Sequence, residues 1–254
     1  MRVANGSLLL LSVGAAVALT ACSSFDARRD TRLSSAARLQ VAASADAAGD
    51  SDLAISMYTA AAASEPDNID LQMRCADALL RGGKVEQARH LLTERLRNRH
   101  GQPDLTRALA LVDLVSGQFT QAIAGFDQLL ATDPRDARVL VDKAVALDLQ
   151  GQHGAAQVIY QQVLATAPSD AAARNNFAVS MMLEGRIHQA LETLAPMQDA
   201  ENATPRLKVN LGILYAASGN ARRSGQLLGN SVSDGDLSAL TRALATGGAT
   251  PTRP

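Results

Sequence analysis

The chain has 254 residues, a formal net charge of −1 and 47% apolar residues, with no tryptophan. Such a balanced charge leaves no basic excess with which to bind nucleic acid or an anionic membrane surface. Aromatic residues make up only 3% of the chain. This composition is typical of thin, repetitive helix packing and argues against one large core.

The N-terminus has the features of a targeting segment. Arg2 supplies a positive charge, and residues 8–19 form an apolar stretch that is interrupted only by Ser12 and Gly14. This stretch of about 12 residues is too short to cross a bilayer as a helix, which needs about 20 residues. We therefore expect residues 1–21 to be a signal peptide.

The apolar stretch ends in Leu19-Thr20-Ala21-Cys22. This tetrapeptide resembles the lipobox of bacterial lipoproteins, in which cleavage leaves an N-terminal cysteine that is acylated. The resemblance implies that Cys22 is the lipidation site. It also implies the outer membrane as destination, because Ser23 replaces the aspartate that retains lipoproteins in the inner membrane. The alternative is a general secretory signal that happens to contain a cysteine.

The segment after the cysteine shows no sustained apolar period. It reads SSFDARRDTRLS over residues 23–34, and we expect residues 22–34 to form a lipidated tether. When fully extended, a tether of roughly twelve residues reaches roughly 40 Å. That reach would hold the rest of the chain clear of the lipid headgroups.

Three ladders of small residues then repeat every 34 positions. They consist of Gly49, Gly83, Gly117, Gly151, Gly185 and Gly219; of Ala42, Ala76, Ala110, Ala144, Ala178 and Gly212; and of Ala54, Ala88, Ala122, Ala156, Ala190 and Ser224. The glycines fall where one helical pattern ends, as left-handed helix C-caps do. The period resembles that of the tetratricopeptide repeat (TPR) family. We therefore predict an all-α TPR solenoid, a right-handed superhelix of about six helix–turn–helix repeats.

The predicted repeats occupy most of the chain. Their boundaries are 35–68, 69–102, 103–136, 137–170, 171–204 and 205–230. Pro196 interrupts the second helix of the fifth repeat, so that helix should end near Leu194 or kink. Residues 231–254 should contain a short closing helix at 236–244, followed by a disordered tail from residue 247.

No motif for catalysis, a metal or a cofactor is visible. The histidines His90, His100, His153 and His188 are spread over three repeats, and none is spaced from a cysteine or carboxylate as metal ligands are. Nothing gathers a nucleophile and a base within one repeat. Once Cys22 is acylated, Cys75 is the remaining thiol, and its position in a helix predicts a small buried apolar residue. We therefore predict a protein that is not an enzyme.

The remaining candidate site is the groove that the first helices of TPR arrays line. The predicted lining, read at fixed repeat positions, is Arg74, Arg107, Arg138, Asp142, Asn175, Asn176, Val179, Arg206, Asn210 and Ile213. Asn176 and Asn210 are similar to asparagines with which some TPR domains hold a peptide backbone or C-terminal carboxylate. We expect a mildly cationic groove that binds a protein segment through solvent-facing side chains. The alternative is a merely solvated polar face.

The second half of the array supports a closer resemblance. Residues 175–186 (NNFAVSMMLEGR) and 204–220 (TPRLKVNLGILYAASGN) resemble the C-terminal part of the TadD-type lipoproteins of the tight-adherence (Flp pilus) machinery. This resemblance implies an outer-membrane accessory lipoprotein that helps to assemble or localise the pilus secretin. After Asn220 the sequence departs from that family, with glycines where alanines are expected.

The sequence as a whole predicts a lipid-anchored scaffold on the periplasmic face of the outer membrane. Its partner would be the pilus secretin or another Tad component, and its membrane contact would be the lipid on Cys22. Other envelope roles stay open, namely outer-membrane protein insertion, type IV pilus piloting and recruitment of peptidoglycan enzymes. A periplasmic holdase or an enzyme subunit is a further alternative.

Overall fold

The computed structural model describes residues 33–98, 101–198, 204–229 and 233–245. The predicted signal peptide, Cys22, most of the predicted tether and the predicted tail from residue 247 lie outside these ranges. Within the described residues the chain is helical and contains no strand. The all-α architecture that the 34-residue period predicts is therefore confirmed.

The helices follow one another in pairs that pack against their neighbours in the chain. They are α1 (Ser35–Ala48), α2 (Ser51–Ser64), α3 (Ile69–Arg81), α4 (Val85–Asn98), α5 (Pro103–Val115), α6 (Phe119–Thr132), α7 (Ala137–Leu149), α8 (His153–Thr166), α9 (Ala171–Leu183), α10 (Ile187–Leu194), α11 (Pro205–Ala217), α12 (Ala221–Leu228) and α13 (Asp234–Ala245). The odd-numbered helices from α1 to α11 are the first helices of six pairs, and α13 follows them as a closing helix.

Local signals start and stop these helices. All six glycines of the first ladder adopt the left-handed conformation, with φ between +71° and +84°. The space around each is open, so the backbone conformation and not crowding selects glycine. Side chains that cap helix N-termini by accepting backbone hydrogen bonds are Ser34, Asp50, Asn68, Asp136, Asp170, Thr204 and Asn220. Each such cap contributes about 1 kcal/mol.

The other two ladders lie where helices touch. Their alanines are all buried, none more than 3% exposed. In the sixth pair the ladder has Gly212, where an added Cβ would lie 2.5 Å from the Leu228 side chain. Glycine therefore lets the short helix α12 approach α11. Cys75 is also buried, as predicted, and burial raises the pKa of its thiol.

The last two pairs are the thinnest part of the array. Helix α10 ends at Leu194, as predicted from Pro196, and a single 3₁₀ turn follows at Ala195–Met197. Helices α10 and α12 have 8 residues each, whereas α6 and α8 have 14. These shorter second helices have fewer residues to pack against their neighbours, so local opening should require less free energy there.

We therefore expect amide hydrogen exchange to be fastest over residues 195–230 and slowest in the third and fourth pairs, α5 to α8. Each pair of a solenoid is stabilised mainly by its neighbours, so a weak pair opens without the rest. Hydrogen-exchange mass spectrometry measures this directly. Equal protection from residue 35 to residue 230 would contradict the expectation.

Candidate functional site

The predicted groove residues lie on the first helices. An ion pair between α5 and α7 separates the groove into an N-terminal and a C-terminal part. The guanidinium of Arg107 on α5 contacts the carboxylate of Asp142 on α7, with Nη2 2.6 Å from Oδ2. Burial raises the pKa of Asp142, and the nearby charge of Arg107 opposes this shift. Because this pair joins neighbouring first helices, Arg107 is not a free cation in the groove.

On the N-terminal side of this pair lies a cavity of about 370 Å³ between α3 and α5. Arg74 lines it, and its Nε lies 2.7 Å from Asp70 Oδ2 on the same helix. Asp77 and Asp104 also line this cavity. The predicted cationic character of the groove is therefore wrong here, because carboxylates compensate the arginines.

On the C-terminal side lies a second cavity of about 270 Å³, which we call the α9–α11 cavity. It gathers five of the predicted groove residues: Val179 and four polar residues, Asn175, Asn176, Arg206 and Asn210, which we call the clasp residues. Its other lining residues are Val145, Asp148, Leu149, Tyr160 and Leu183. The cavity thus combines an apolar wall with amide groups and one guanidinium.

The asparagines of the clasp bond to one another. Asn210 Nδ2 donates to Asn175 Oδ1 at 2.9 Å, and Asn175 Nδ2 donates to Asn176 Oδ1 at 3.2 Å. Asn175 is buried, and the other two are half-buried. The expectation that groove side chains simply face solvent is therefore wrong for these asparagines, since neighbouring first helices bring their amides together.

This arrangement leaves specific groups free for a ligand. Within the described ranges, the amide nitrogen of Asn176 and the amide oxygen of Asn210 have no hydrogen-bond partner. Arg206 is exposed and forms no ion pair with any described residue. A donor, an acceptor and a cation therefore point to the same cavity, which suits a peptide backbone next to a carboxylate.

Arg138 lies apart from the clasp residues. It lines a cavity of about 440 Å³ between α5, α6 and α7. Its Nε is 3.9 Å from Oδ1 of the helix-capping Asp136, and its side chain is 77% exposed. Arg138 therefore stays available to an external carboxylate, at a distance from the α9–α11 cavity.

The floor of the α9–α11 cavity is the carboxylate of Asp148, whose side chain is only 10% exposed and which the predicted groove lining did not include. Asp148 accepts hydrogen bonds from the Tyr160 hydroxyl at 3.0 Å and from the Ser180 hydroxyl at 2.6 Å. His153 Nδ1 lies 2.9 Å from Asp148 Oδ1. Burial raises the pKa of Tyr160, and the charge of Asp148 adds to it, so the phenol stays protonated and donates. This network joins α7, α8 and α9 below the clasp residues.

A comparison of the repeats contains the signal for this network. Tyr58 and Tyr160 occupy equivalent positions, and aspartates, Asp46 and Asp148, occupy the equivalent position 12 residues before each. Burial and the hydrogen bond and charge of Asp46 raise the pKa of Tyr58. The remaining repeats place apolar residues at both positions. A buried phenol requires an acceptor, so tyrosine and aspartate occur together.

We also searched the described residues for metal-binding groups and for membrane-spanning helices. Within the described residues no group of three or more His, Cys, Asp or Glu side chains could hold a metal ion. His153 contacts one carboxylate, that of Asp148, and belongs to the Asp148 network. Among the helices described, none is long and apolar enough to span a bilayer.

Comparisons with known proteins agree with the fold. The Tetratricopeptide repeat model matches residues 47–112, 114–175 and 149–208. The solved structure of PilW, a widely conserved type IV pilus biogenesis factor, is 20% identical, with a TM-score of 0.64 over 81% of this chain and 97% of PilW. A thermophilic TPR protein of Thermus thermophilus is 19% identical, with a TM-score of 0.55 over 69% of this chain and 97% of that one. Comparison with curated proteins gives no match.

Sequence and structure lead to one family. The matched segments extend over more than half of the chain and fall within the six helix pairs. Structural likeness at 19–20% identity shows the shared fold alone. TPR arrays are typically scaffolds that bind other proteins and do not catalyse reactions. The chain belongs to the tetratricopeptide repeat family.

Proposed function

We propose that this TPR array is a lipid-anchored scaffold on the periplasmic face of the outer membrane. It assists a pilus machine, most directly by binding the Flp/Tad secretin or a neighbouring Tad component. The observation that carries the binding part of this proposal is the α9–α11 cavity. There the clasp residues offer an amide donor, an amide acceptor and an unpaired guanidinium beside an apolar wall.

The anchoring part rests on the sequence before the array. The lipobox resemblance of residues 19–22 makes Cys22 the lipidation site, and residues 22–34 supply the tether. Acyl chains confine the array to the membrane plane, which raises its effective concentration for a partner inserted in the same membrane. A weak groove contact then suffices for assembly.

The choice of a pilus machine rests on the TadD-type resemblance of residues 175–186 and 204–220. These two segments include the clasp residues. A second candidate is a type IV pilus, because PilW, a type IV pilus biogenesis factor, shares the fold over 81% of this chain. The two candidates differ in the secretin that each would bind.

Replacing Cys22 with alanine should release the chain from the outer membrane or leave it unprocessed, because the acyl chains are lost. The measurement is fractionation of the envelope with detection of the chain in each fraction. Cys75→Ala is the matched control, since it removes the other cysteine and should leave anchoring intact. Finding processed Cys22→Ala chain still in the outer membrane would contradict the lipoprotein assignment.

Cells that lack the chain, or that produce only the Cys22→Ala variant, test the proposed role in secretin assembly. Without the chain, or with it unanchored, the Flp/Tad secretin should form fewer multimers in the outer membrane. Measuring the secretin of a type IV pilus in parallel decides between the two candidates. Normal multimers of both secretins in cells that lack the chain would contradict a role in pilus assembly.

A further inference from the structure

Three exposed apolar residues occupy one repeat position on successive first helices. Val115, Leu149 and Leu183 are the last residues of α5, α7 and α9, and they are 65%, 54% and 38% exposed. We call them the apolar ridge. Single exposed apolar side chains are ordinary, whereas an aligned set is typical of an interaction surface.

The ridge belongs to the concave surface. One helical turn before each ridge residue lies a half-buried apolar residue on the same helix face, namely Leu111, Val145 or Val179. Leu149 and Leu183 line the α9–α11 cavity together with the clasp residues. The ridge is therefore one margin of the surface that the scaffold presents.

The repeats on either side of the ridge have no large exposed apolar residue at the equivalent position. The equivalent residue in the second repeat is Arg81, which forms ion pairs with Asp46 at 2.8 Å and Asp77 at 2.7 Å. In the sixth repeat it is Ala217, which is half-buried. The apolar margin thus covers three repeats, so its occupant must have a matching length.

On the opposite margin of the same surface, α7 and α11 each present an arginine, whereas the equivalent residue of α5 is Asp104. Arg138 lies in the first turn of α7, and Arg206 lies in the first turn of α11. Arg206 has no ion pair among the described residues, and the contact of Arg138 with Asp136 is long, at 3.9 Å. At α7 and α11 the surface therefore changes across its width from apolar to positively charged.

The spacing favours a helical occupant. Packed helices lie about 8–10 Å apart, so ridge residues on adjacent first helices are separated by about 10 Å. Seven residues of an α-helix rise about 10.5 Å and return nearly to the same face. In a β-strand about three residues cover that distance, but successive contacts then fall on opposite faces.

The width of the surface, measured from the arginine position to the ridge position, also suits a bound helix. The arginine and ridge positions on one first helix are 11 residues apart, as Arg138 and Leu149 show, which corresponds to about 16 Å along the axis. An α-helix with its side chains is about 10–12 Å wide, and an arginine side chain can reach across the remaining gap. A helix lying across the first helices would thus touch both margins.

We propose that the apolar ridge, Arg138 and Arg206 bind an amphipathic α-helix of the protein partner. Its large apolar residues are seven apart on one face, and Asp or Glu residues lie along one flank. Three contacts seven residues apart require a helix of about 15 residues or more. This inference rests on the proposed function, because it names the class of segment that the scaffold binds.

A designed peptide tests the chemistry without knowledge of the partner. The probe is a fluorescent helical 18-residue peptide with leucines seven apart and glutamates along one flank, titrated with the mature chain by fluorescence anisotropy. Three matched peptides keep its length: one spaces the leucines five apart, one replaces glutamate with lysine, and one contains two central prolines. We expect each change to weaken binding at least tenfold. Equal binding of the respaced or proline peptide, or no binding of the probe, would overturn the proposal.

Variants of the chain give the reciprocal test. The triple variant Val115→Ser, Leu149→Ser, Leu183→Ser should bind the probe at least tenfold more weakly. Its melting temperature should fall only slightly, because Val115 and Leu149 are mostly exposed and Leu183 is 38% exposed. Val158→Ser is the matched control, since Val158 is 64% exposed but lies on the second helix α8. Equal loss in the control, or no loss in the triple variant, would contradict a ridge contact.

The two proposals fail in different ways. If the triple variant recovers the secretin as well as the wild type while a variant of the clasp residues does not, the ridge inference is wrong and the scaffold function stands. If loss of the chain leaves both secretins assembled normally while the probe peptide binds as expected, the ridge inference stands and the pilus function is wrong.

Discussion

Replacing Asp148 with alanine is expected to lower the free energy of unfolding by about 3 kcal/mol. The buried hydroxyls of Tyr160 and Ser180 both donate to this carboxylate. Without it, each hydroxyl loses its acceptor, at a cost of about 1–3 kcal/mol for each group. Urea denaturation followed by circular dichroism measures the change.

Two further variants make this prediction specific. Asp148→Asn keeps one acceptor oxygen and should lose less stability than the alanine variant. Asp77→Ala makes the same chemical change at a side chain that is 70% exposed, and it should alter stability by no more than about 0.5 kcal/mol. Equal stabilities of Asp148→Ala and Asp77→Ala would show that the Asp148 network contributes nothing.

The second large effect concerns binding. Replacing Asn176, Arg206 and Asn210 together with alanine should weaken recovery of the secretin at least tenfold. The loss of a hydrogen bond to a group desolvated on binding costs roughly 1–3 kcal/mol, and about 1.4 kcal/mol is a factor of ten. Because Asn210 also donates to the buried Asn175, a small loss of stability should accompany this change.

Binding of the wild type and of the clasp variant is therefore compared at a temperature at which thermal melts show both proteins to be fully folded. Arg74→Ala is the control, since it removes an arginine from the separate cavity between α3 and α5. It should leave recovery of the secretin unchanged. If the clasp variant recovers the secretin as the wild type does, the interface lies elsewhere on the array.

Local rules explain how much of the fold is visible in the sequence. Left-handed glycines such as Gly117 end helices, and capping residues such as Asp136 and Asp170 begin them. These features act within a few residues, so the 34-residue period translates directly into helix pairs. The same holds for Pro196, which ends α10 at Leu194.

The proximity of the clasp residues was predictable from the sequence, whereas the charge of the groove was not. Contacts between neighbouring first helices join residues 35 apart, as in Arg107–Asp142 and Asn175–Asn210. The fixed period thus places the clasp residues together. Whether an arginine stays free for a ligand depends on the residue 35 positions later, on the neighbouring first helix. Arg107 is not free, because Asp142 occupies that position and neutralises it.

Photo-cross-linking in the cell tests the central claim most directly. A photoreactive amino acid at Val179, in the α9–α11 cavity, is compared with the same residue at Val158, which is exposed on the second helix α8. We predict a product with the pilus secretin in the outer-membrane fraction from position 179 and none from position 158. A secretin product from position 158 alone would contradict binding through the concave surface.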